Sequence, residues 1–189
     1  MQDKPALQQS LSRDFASLVS TLKPGVALPF IRAFFLTMSR EWTNIEALRL
    51  DKYLYLIRQY MNASFQHLAA KKWKSSVLEQ FNTIMEETPL NPTNMKIPNG
   101  LRYHVLDVWV DELEKVNSEW EDEKKQKILE TLVQPIEKLA KNGSLKVLRE
   151  AAKEVLAEDT LRQWRGQEDE EMAEPEAEDS DDGWGGFED

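Results

Sequence analysis

Between Leu50 and Leu68 the sequence places apolar residues on two faces of one helix. At 100° per residue, Leu50, Leu54, Ile57, Met61, Phe65 and Leu68 form one stripe, while Ile45, Tyr53, Leu56 and Tyr60 form a second. A helix apolar on two sides does not rest on a surface; it has to be sandwiched between neighbours. The rest of the chain therefore has to supply those neighbours.

It does so with further helical periodicity, and strand alternation is absent. Leu7, Leu11, Phe15, Leu18 and Leu22 make one stripe from about Lys4 to Leu22, ended by Pro24-Gly25. A second helix starts near Pro29 and sets Phe30, Ile31, Phe34, Phe35, Met38 and Trp42 on one arc, with Arg32, Leu36 and Arg40 opposite. Thr43 and Glu46 have capping-box spacing ahead of the long third helix. Ser76 and Glu79 repeat it ahead of a fourth that carries Val77, Phe81, Ile84 and Met85. The segment TPLNPTNMKIPNG holds three prolines and is expected as a loop. A fifth helix from about Leu101 buries Val105, Val108, Trp109, Leu113 and Val116; a sixth runs from about Glu121 to Lys141, kinked or split by Pro135. Ser144 suits the N-cap of a seventh that continues through Leu148, Val155 and Leu156 towards Trp164. The expected fold is all-α: about seven amphipathic helices stacked as helical hairpins, in a short α-solenoid or bundle.

Charge divides the chain. Twelve of the 34 acidic residues lie from Glu168 onward with no Lys or Arg among them, leaving 22 acids against 24 Lys and Arg before that point. The body is slightly basic and the tail carries the net charge of -10. Residues 1–165 are expected as one helical domain and residues 166–189 as a disordered acidic tail with a WGGF segment. Trp184 and Phe187 lie inside DDGWGGFED, where a merely solvating tail has no need of large rings. They suit a docking peptide that inserts its rings into an apolar groove with a basic rim, on a basic partner protein or on the chain's own body.

Catalytic patterns are missing: no phosphate-cradling glycine loop, GxSxG, HExxH or EF-hand loop occurs. With no cysteine there is neither a disulfide framework nor a thiolate metal site, which fits a reducing compartment. His67 and His104 stand without a second imidazole at ligand spacing, and His104 with Asp107 one turn later reads as a helix-surface hydrogen bond. Asp111 with Glu112, and Glu86 with Glu87, read as solvated faces. No catalytic residue, metal site, cofactor or small-molecule substrate is expected, and no apolar run approaches the roughly 20 residues needed to cross a bilayer. The cations say more. Arg32, Arg40, Arg49, Lys52, Lys71, Lys72 and Lys74 are interleaved with aromatic residues and form a candidate RNA-binding set, although rings on the apolar stripes belong to the core.

Three segments carry a resemblance. FIRAFFLTMSREWTNIEALRLDKYLYLIR resembles the signature region of the ribosomal RNA processing protein 1 family, also called the nucleolar protein of fifty-two kilodaltons, through RAFF, TMSREW and LRLDKY. DKPALQQSL is similar to that family's first helix entry. NGLRYHVLDVWVDELEKV is similar to a helix that includes His104, Asp107, Asp111 and Glu112. The resemblance covers about residues 3 to 160. It implies an α-helical repeat scaffold of the nucleus and nucleolus, acting in ribosomal RNA processing and large-subunit assembly within preribosomal particles, with no catalytic residue to carry over. Preribosomal proteins and precursor rRNA are the partners it implies. It also implies a helical segment ahead of Met1 and a basic C-terminal extension. If Met1 is the true start, the first helix loses a neighbour there and exposes an apolar face. The other reading of the same residues is a protein-binding helical adaptor whose acidic tail captures basic ribosomal or chromatin proteins.

Overall fold

The computed structural model describes residues 4–23, 25–120 and 122–166. Among these residues the backbone forms nine α-helices and no strand. The two-striped segment is the 21-residue α3, Leu50–Ala70, and it is sandwiched. On one side lie α1 (Pro5–Thr21) and α2 (Ala27–Glu41); on the other lie α5 (Asn99–Asp107) and α6 (Trp109–Glu114). Phe34 of α2 stacks on Tyr60 at a centroid distance of 3.6 Å, while Phe65 meets Trp109 of α6 edge-on at 5.5 Å. Burial of Tyr60, whose hydroxyl has no hydrogen-bond partner among the described residues, pushes its pKa well above the ordinary phenol value. The fourth helix, α4 (Ser75–Glu87), packs on α2 and on α7 (Glu123–Asn142). Helix α8 (Lys146–Leu156) lies along α7 and α5, and α9 (Asp159–Trp164) closes on α8.

Several local expectations change. The Thr43–Glu46 capping box does not form. Two 3-10 turns, Trp42–Asn44 and Ala47–Arg49, lead into α3, closed by Ile45 N donating to Trp42 O and Arg49 N to Glu46 O. Half-buried Ile45, packed against the core between these turns, pins the chain in that path. Helix α4 begins two residues early, with Lys74 in place of Ser76 at the N-cap, and Ser75 Oγ donates to Glu79 Oε1 at 2.8 Å. The fifth helix is two, separated at Val108 (φ -93°, ψ -3°), and fully buried Trp109 begins the second. The seventh is also two, because Glu158 is extended between α8 and α9. Ser144 is no cap; its N–H donates to Pro92 O at 2.9 Å and ties the α7–α8 joint to the proline-rich loop.

Pro135 neither splits α7 nor leaves a gap in its bonding. Proline has no N–H to offer the carbonyl four residues back, which is Thr131. Asn82 of α4, itself buried, donates its Nδ2–H to Thr131 O at 2.6 Å. A neighbouring helix thus makes the bond that α7 cannot make internally.

The loop between α4 and α5 is ordered by a buried arginine. Arg102, 1% exposed, donates through Nη1 to Ile97 O (2.8 Å) and Asn99 Oδ1 (3.1 Å), and through Nη2 to Asn91 O (2.8 Å) and Asn94 O (2.6 Å). Asn91 Oδ1 accepts from the Thr93 and Asn94 amides, closing a turn after Asn91. Burial pulls the arginine pKa down, and oxygen acceptors compensate in place of a carboxylate.

The two ends of the chain differ. Helix α1 buries Ala16 and Val19, not its leucine stripe, and leaves Leu7 and Leu11 70% and 67% exposed. At the other end Arg165 holds Glu130 through paired bonds of 3.0 and 3.1 Å and Glu137 at 2.8 Å, drawing the end of α9 onto α7. Trp164 extends an aromatic row through Trp120 to Trp73, with centroids 6.0 and 5.8 Å apart.

Candidate functional site

The seven cations singled out in the sequence do not form one patch. Arg49 and Lys52 stand at the start of α3 and Lys71 just past its end; at about 1.5 Å per residue, the 21-residue helix separates them by about 30 Å. The arginines are also engaged. Arg32 Nε meets Glu87 at 3.2 Å, Arg40 Nε meets Glu41 at 2.6 Å and Arg49 Nε meets Glu46 at 3.3 Å. The bond from Arg40, with one from Asn44, holds the Glu41 carboxyl below its ordinary pKa. Exposed pairs of this kind are weak, so phosphates can compete for these arginines, but against a carboxylate already in place.

Lys71, Lys72 and Lys74 are different. All three are exposed, and none makes an ion pair among the described residues. Their presentation comes from how α3 stops. Trp73 N donates to Leu68 O at 2.9 Å and Lys72 N to Ala69 O at 2.8 Å, the two bonds of a Schellman motif. That motif calls for a left-handed residue, usually glycine. Here Lys72 takes it at φ 53°, and Trp73 follows at φ 53°. Two consecutive left-handed non-glycine residues are costly, and the half-buried Trp73 ring, anchored against Trp120, holds them there. The outcome is a short corner with its indole turned in and three lysines turned out. Just before it, burial and then Lys71 lower the pKa of His67, so this imidazole stays neutral at pH 7.

A second feature was not visible in the sequence. Helices α3, α5 and α8 enclose an open groove of about 580 Å³, within the ordinary range for ligand sites of about 300–1,000 Å³. Trp42, Leu54, Leu106 and Val155 contribute its apolar surface. Gly100 lets the indole of Trp42 lie against α5, since a Cβ there would come within 3.1 Å of the ring. Asp107, Glu154 and Glu158 bring carboxylates to it, and among the described residues no Lys or Arg lines it.

His104 also lines this groove, but as a structural group. Its Nε2–H donates to Leu54 O at 2.8 Å, joining α5 to α3, and Nδ1 lies 3.9 Å from Asp107. Burial lowers its pKa against the raising effect of the Leu54 bond and of Asp107. Glu158 is pushed up, first by burial and then by Asp111 and Asp107. Glu112, read from sequence as part of a solvated face, is 1% exposed; it pairs with Arg58 at 3.2 Å and Lys115 at 2.5 Å, and Arg58 also reaches Asp111 at 3.1 Å. The i,i+1 spacing of two acids does not reveal that one faces into an interhelical ion pair. Among the described residues no cluster of three or more His, Asp or Glu is arranged to hold a metal ion, and no helix is long and apolar enough to cross a membrane. Trp184 and Phe187 lie outside the described residues.

Of the signature residues Arg40, Glu41 and Trp42, Trp42 thus lines the groove, together with His104 and Asp107. A family model described as nucleolar protein, Nop52, matches residues 1–186. The chain belongs to this family. Among curated relatives, human ribosomal RNA processing protein 1 homolog B is 40% identical over 117 residues, which is 61% of this chain and 15% of that protein. Human homolog A is 38% identical over 120 residues, 63% of this chain and 26% of that protein. The Caenorhabditis elegans homolog is 30% identical over 115 residues, 60% of this chain and 29% of the relative. The aligned region therefore spans less than a third of each of these relatives.

Proposed function

We propose that this protein is a non-enzymatic ribosome biogenesis factor of the nucleus and nucleolus, serving rRNA processing and large-subunit assembly as a scaffold within preribosomal particles. The observation that carries this reading is the family match over residues 1–186, joined by relatives whose printed names concern ribosomal RNA processing. The fold supports a positional mechanism. A stack of packed helices presents fixed surfaces, and Lys71, Lys72 and Lys74 meet precursor rRNA phosphates while other faces hold proteins. Arg32, Arg40, Arg49 and Lys52 contribute at the other end of α3 only where RNA displaces their present contacts.

Filter binding of the full chain to single-stranded precursor rRNA fragments tests this. Changing Lys71, Lys72 and Lys74 to Gln removes three phosphate contacts, which should flatten the slope of log affinity against log salt by about 2. An unchanged slope, or no RNA binding by the parent chain, sinks the RNA contact. The ion pairing of Arg32, Arg40 and Arg49 favours one second reading, a protein-binding adaptor with an acidic capture tail. Deleting residues 168–189 separates the two: loss of particle association with RNA binding intact supports the adaptor.

A further inference from the structure

The groove bounded by α3, α5 and α8 takes no part in the RNA contact just described, and its chemistry is opposite to that of the lysine corner. Its apolar surface is built from residues far apart in sequence: Trp42 after α2, Leu54 on α3, Leu106 on α5 and Val155 on α8. Around them stand Asp107, Glu154 and Glu158. Among the described residues Asp107 has no Lys or Arg partner, only His104 at 3.9 Å, and neither Glu154 nor Glu158 makes an ion pair. The cations on neighbouring turns are occupied: Arg58 with Asp111 and Glu112, Lys153 with Glu150 at 3.2 Å, and Arg162 with Asp159 at 4.0 Å. Carboxylates grouped beside apolar surface without a counter-charge repel one another, and Glu158 is partly buried there as well. An occupant that brings cations relieves this; an occupant that brings phosphates or carboxylates worsens it.

We infer that this groove docks a basic amphipathic segment of a partner protein, its apolar side chains against Trp42, Leu54 and Val155 and its Lys or Arg residues against Asp107, Glu154 and Glu158. Charge complementarity selects this occupant over the others available. The chain's own tail carries twelve acidic residues from Glu168 onward and is repelled by this rim. RNA is repelled for the same reason. The apolar contact supplies affinity, and the three carboxylates supply orientation and selectivity. The inference deepens the scaffold reading by stating what one face of the body holds, and it fails separately from the RNA contact.

The probe is a fluorescein-labelled fourteen-residue peptide of Leu and Lys at helical spacing, titrated with the full chain in an anisotropy measurement. A version with Ser for each Leu and a version with Glu for each Lys serve as controls. The Leu/Lys peptide should bind, shifting the methyl resonances of Leu54 and Val155, and both controls should bind at least tenfold more weakly. Exposed Glu154 and half-buried Glu158 give a double variant, Glu154→Lys with Glu158→Lys, expected to lose at least tenfold in affinity. Ala151→Phe plugs the groove without altering charge and should lose a comparable factor, with circular dichroism melts establishing that each variant folds. Equal binding of the Ser peptide places the contact on the acidic tail and overturns the inference. So does parent-like affinity in both variants, preference for the Glu peptide, or self-association of the chain that the Leu/Lys peptide competes away. Should the peptide fail while the lysine-dependent salt slope persists, the groove proposal falls and the RNA contact stands.

Discussion

The connection from α3 to α4 and the one from α4 to α5 both depend on a cationic residue, and they turn it in opposite directions. At the first, four residues, 71–74, join the helices, the backbone closes its own Schellman bonds, and Lys71, Lys72 and Lys74 are left facing water. At the second, a longer proline-rich loop closes a single bond onto these carbonyls, Ile97 N to Asn94 O, and Arg102 is drawn inside to donate to Asn91, Asn94 and Ile97. What differs is the supply of orphan acceptors. A planar guanidinium with five donors is suited to gathering several carbonyls at once, whereas an ammonium on a flexible stem stays hydrated. Counting cations along a sequence does not separate these two fates.

The comparison breaks hardest at the loop. Arg102→Met should cost about 3 to 4 kcal/mol, because the loop carbonyls lose their donors together, and it should be read as a loss of thermal stability with RNA affinity nearly intact. An effect below about 1 kcal/mol would mean that the loop keeps its shape without the guanidinium. At the corner the expected sign is reversed. Lys72→Gly removes the left-handed strain at φ 53° and should stabilise by about 1 kcal/mol, while losing one phosphate contact and flattening the salt slope by about 0.7. Stabilisation with an unchanged slope would leave Lys72 a backbone role only.

How far the two connections and the surfaces beside them were legible follows from the same physics. The interior position of α3 was readable because two apolar stripes at helical spacing admit few alternatives. Lys71, Lys72 and Lys74 were readable as cations, though not as a presented corner, since nothing in KKWK announces a Schellman stop without glycine. Arg102 was missed because its partners are backbone carbonyls, which every residue carries. The groove was missed because four segments build it, and Glu154 with Glu158 at i,i+4 looks like any solvated helix face. The leucine stripe of α1 was readable as a face but its covering was not, since periodicity shows that a face exists and not which neighbour covers it; Leu7 and Leu11 stand exposed.

The smallest expected effect concerns pH and also contrasts the two regions, since His67 lies near the corner and His104 in the groove. Both have pKa values lowered mainly by burial, so the unfolded chain binds more protons than the folded one as pH drops through the ordinary value of 6.5. Their contribution to stability is present above that pH and is lost as pH falls through the folded values. Glu158 works the other way: with its pKa raised from 4.5, it favours folding below that value and opposes it as pH rises through the folded one. Thermal melts from pH 7 to pH 5 should show a modest fall in Tm that flattens in His104→Gln. A Tm that rises over this interval would contradict the buried neutral imidazoles.

The bond from Asn82 to Thr131 has a consequence for how the helices find their places. Apolar ridges between packed helices tolerate slippage by a turn with modest loss. A carbonyl freed by Pro135 is unique along α7, so only one axial alignment of α4 places an amide donor opposite it. The proline thereby works as an address, written as a missing donor in one helix and read by a single side chain of another.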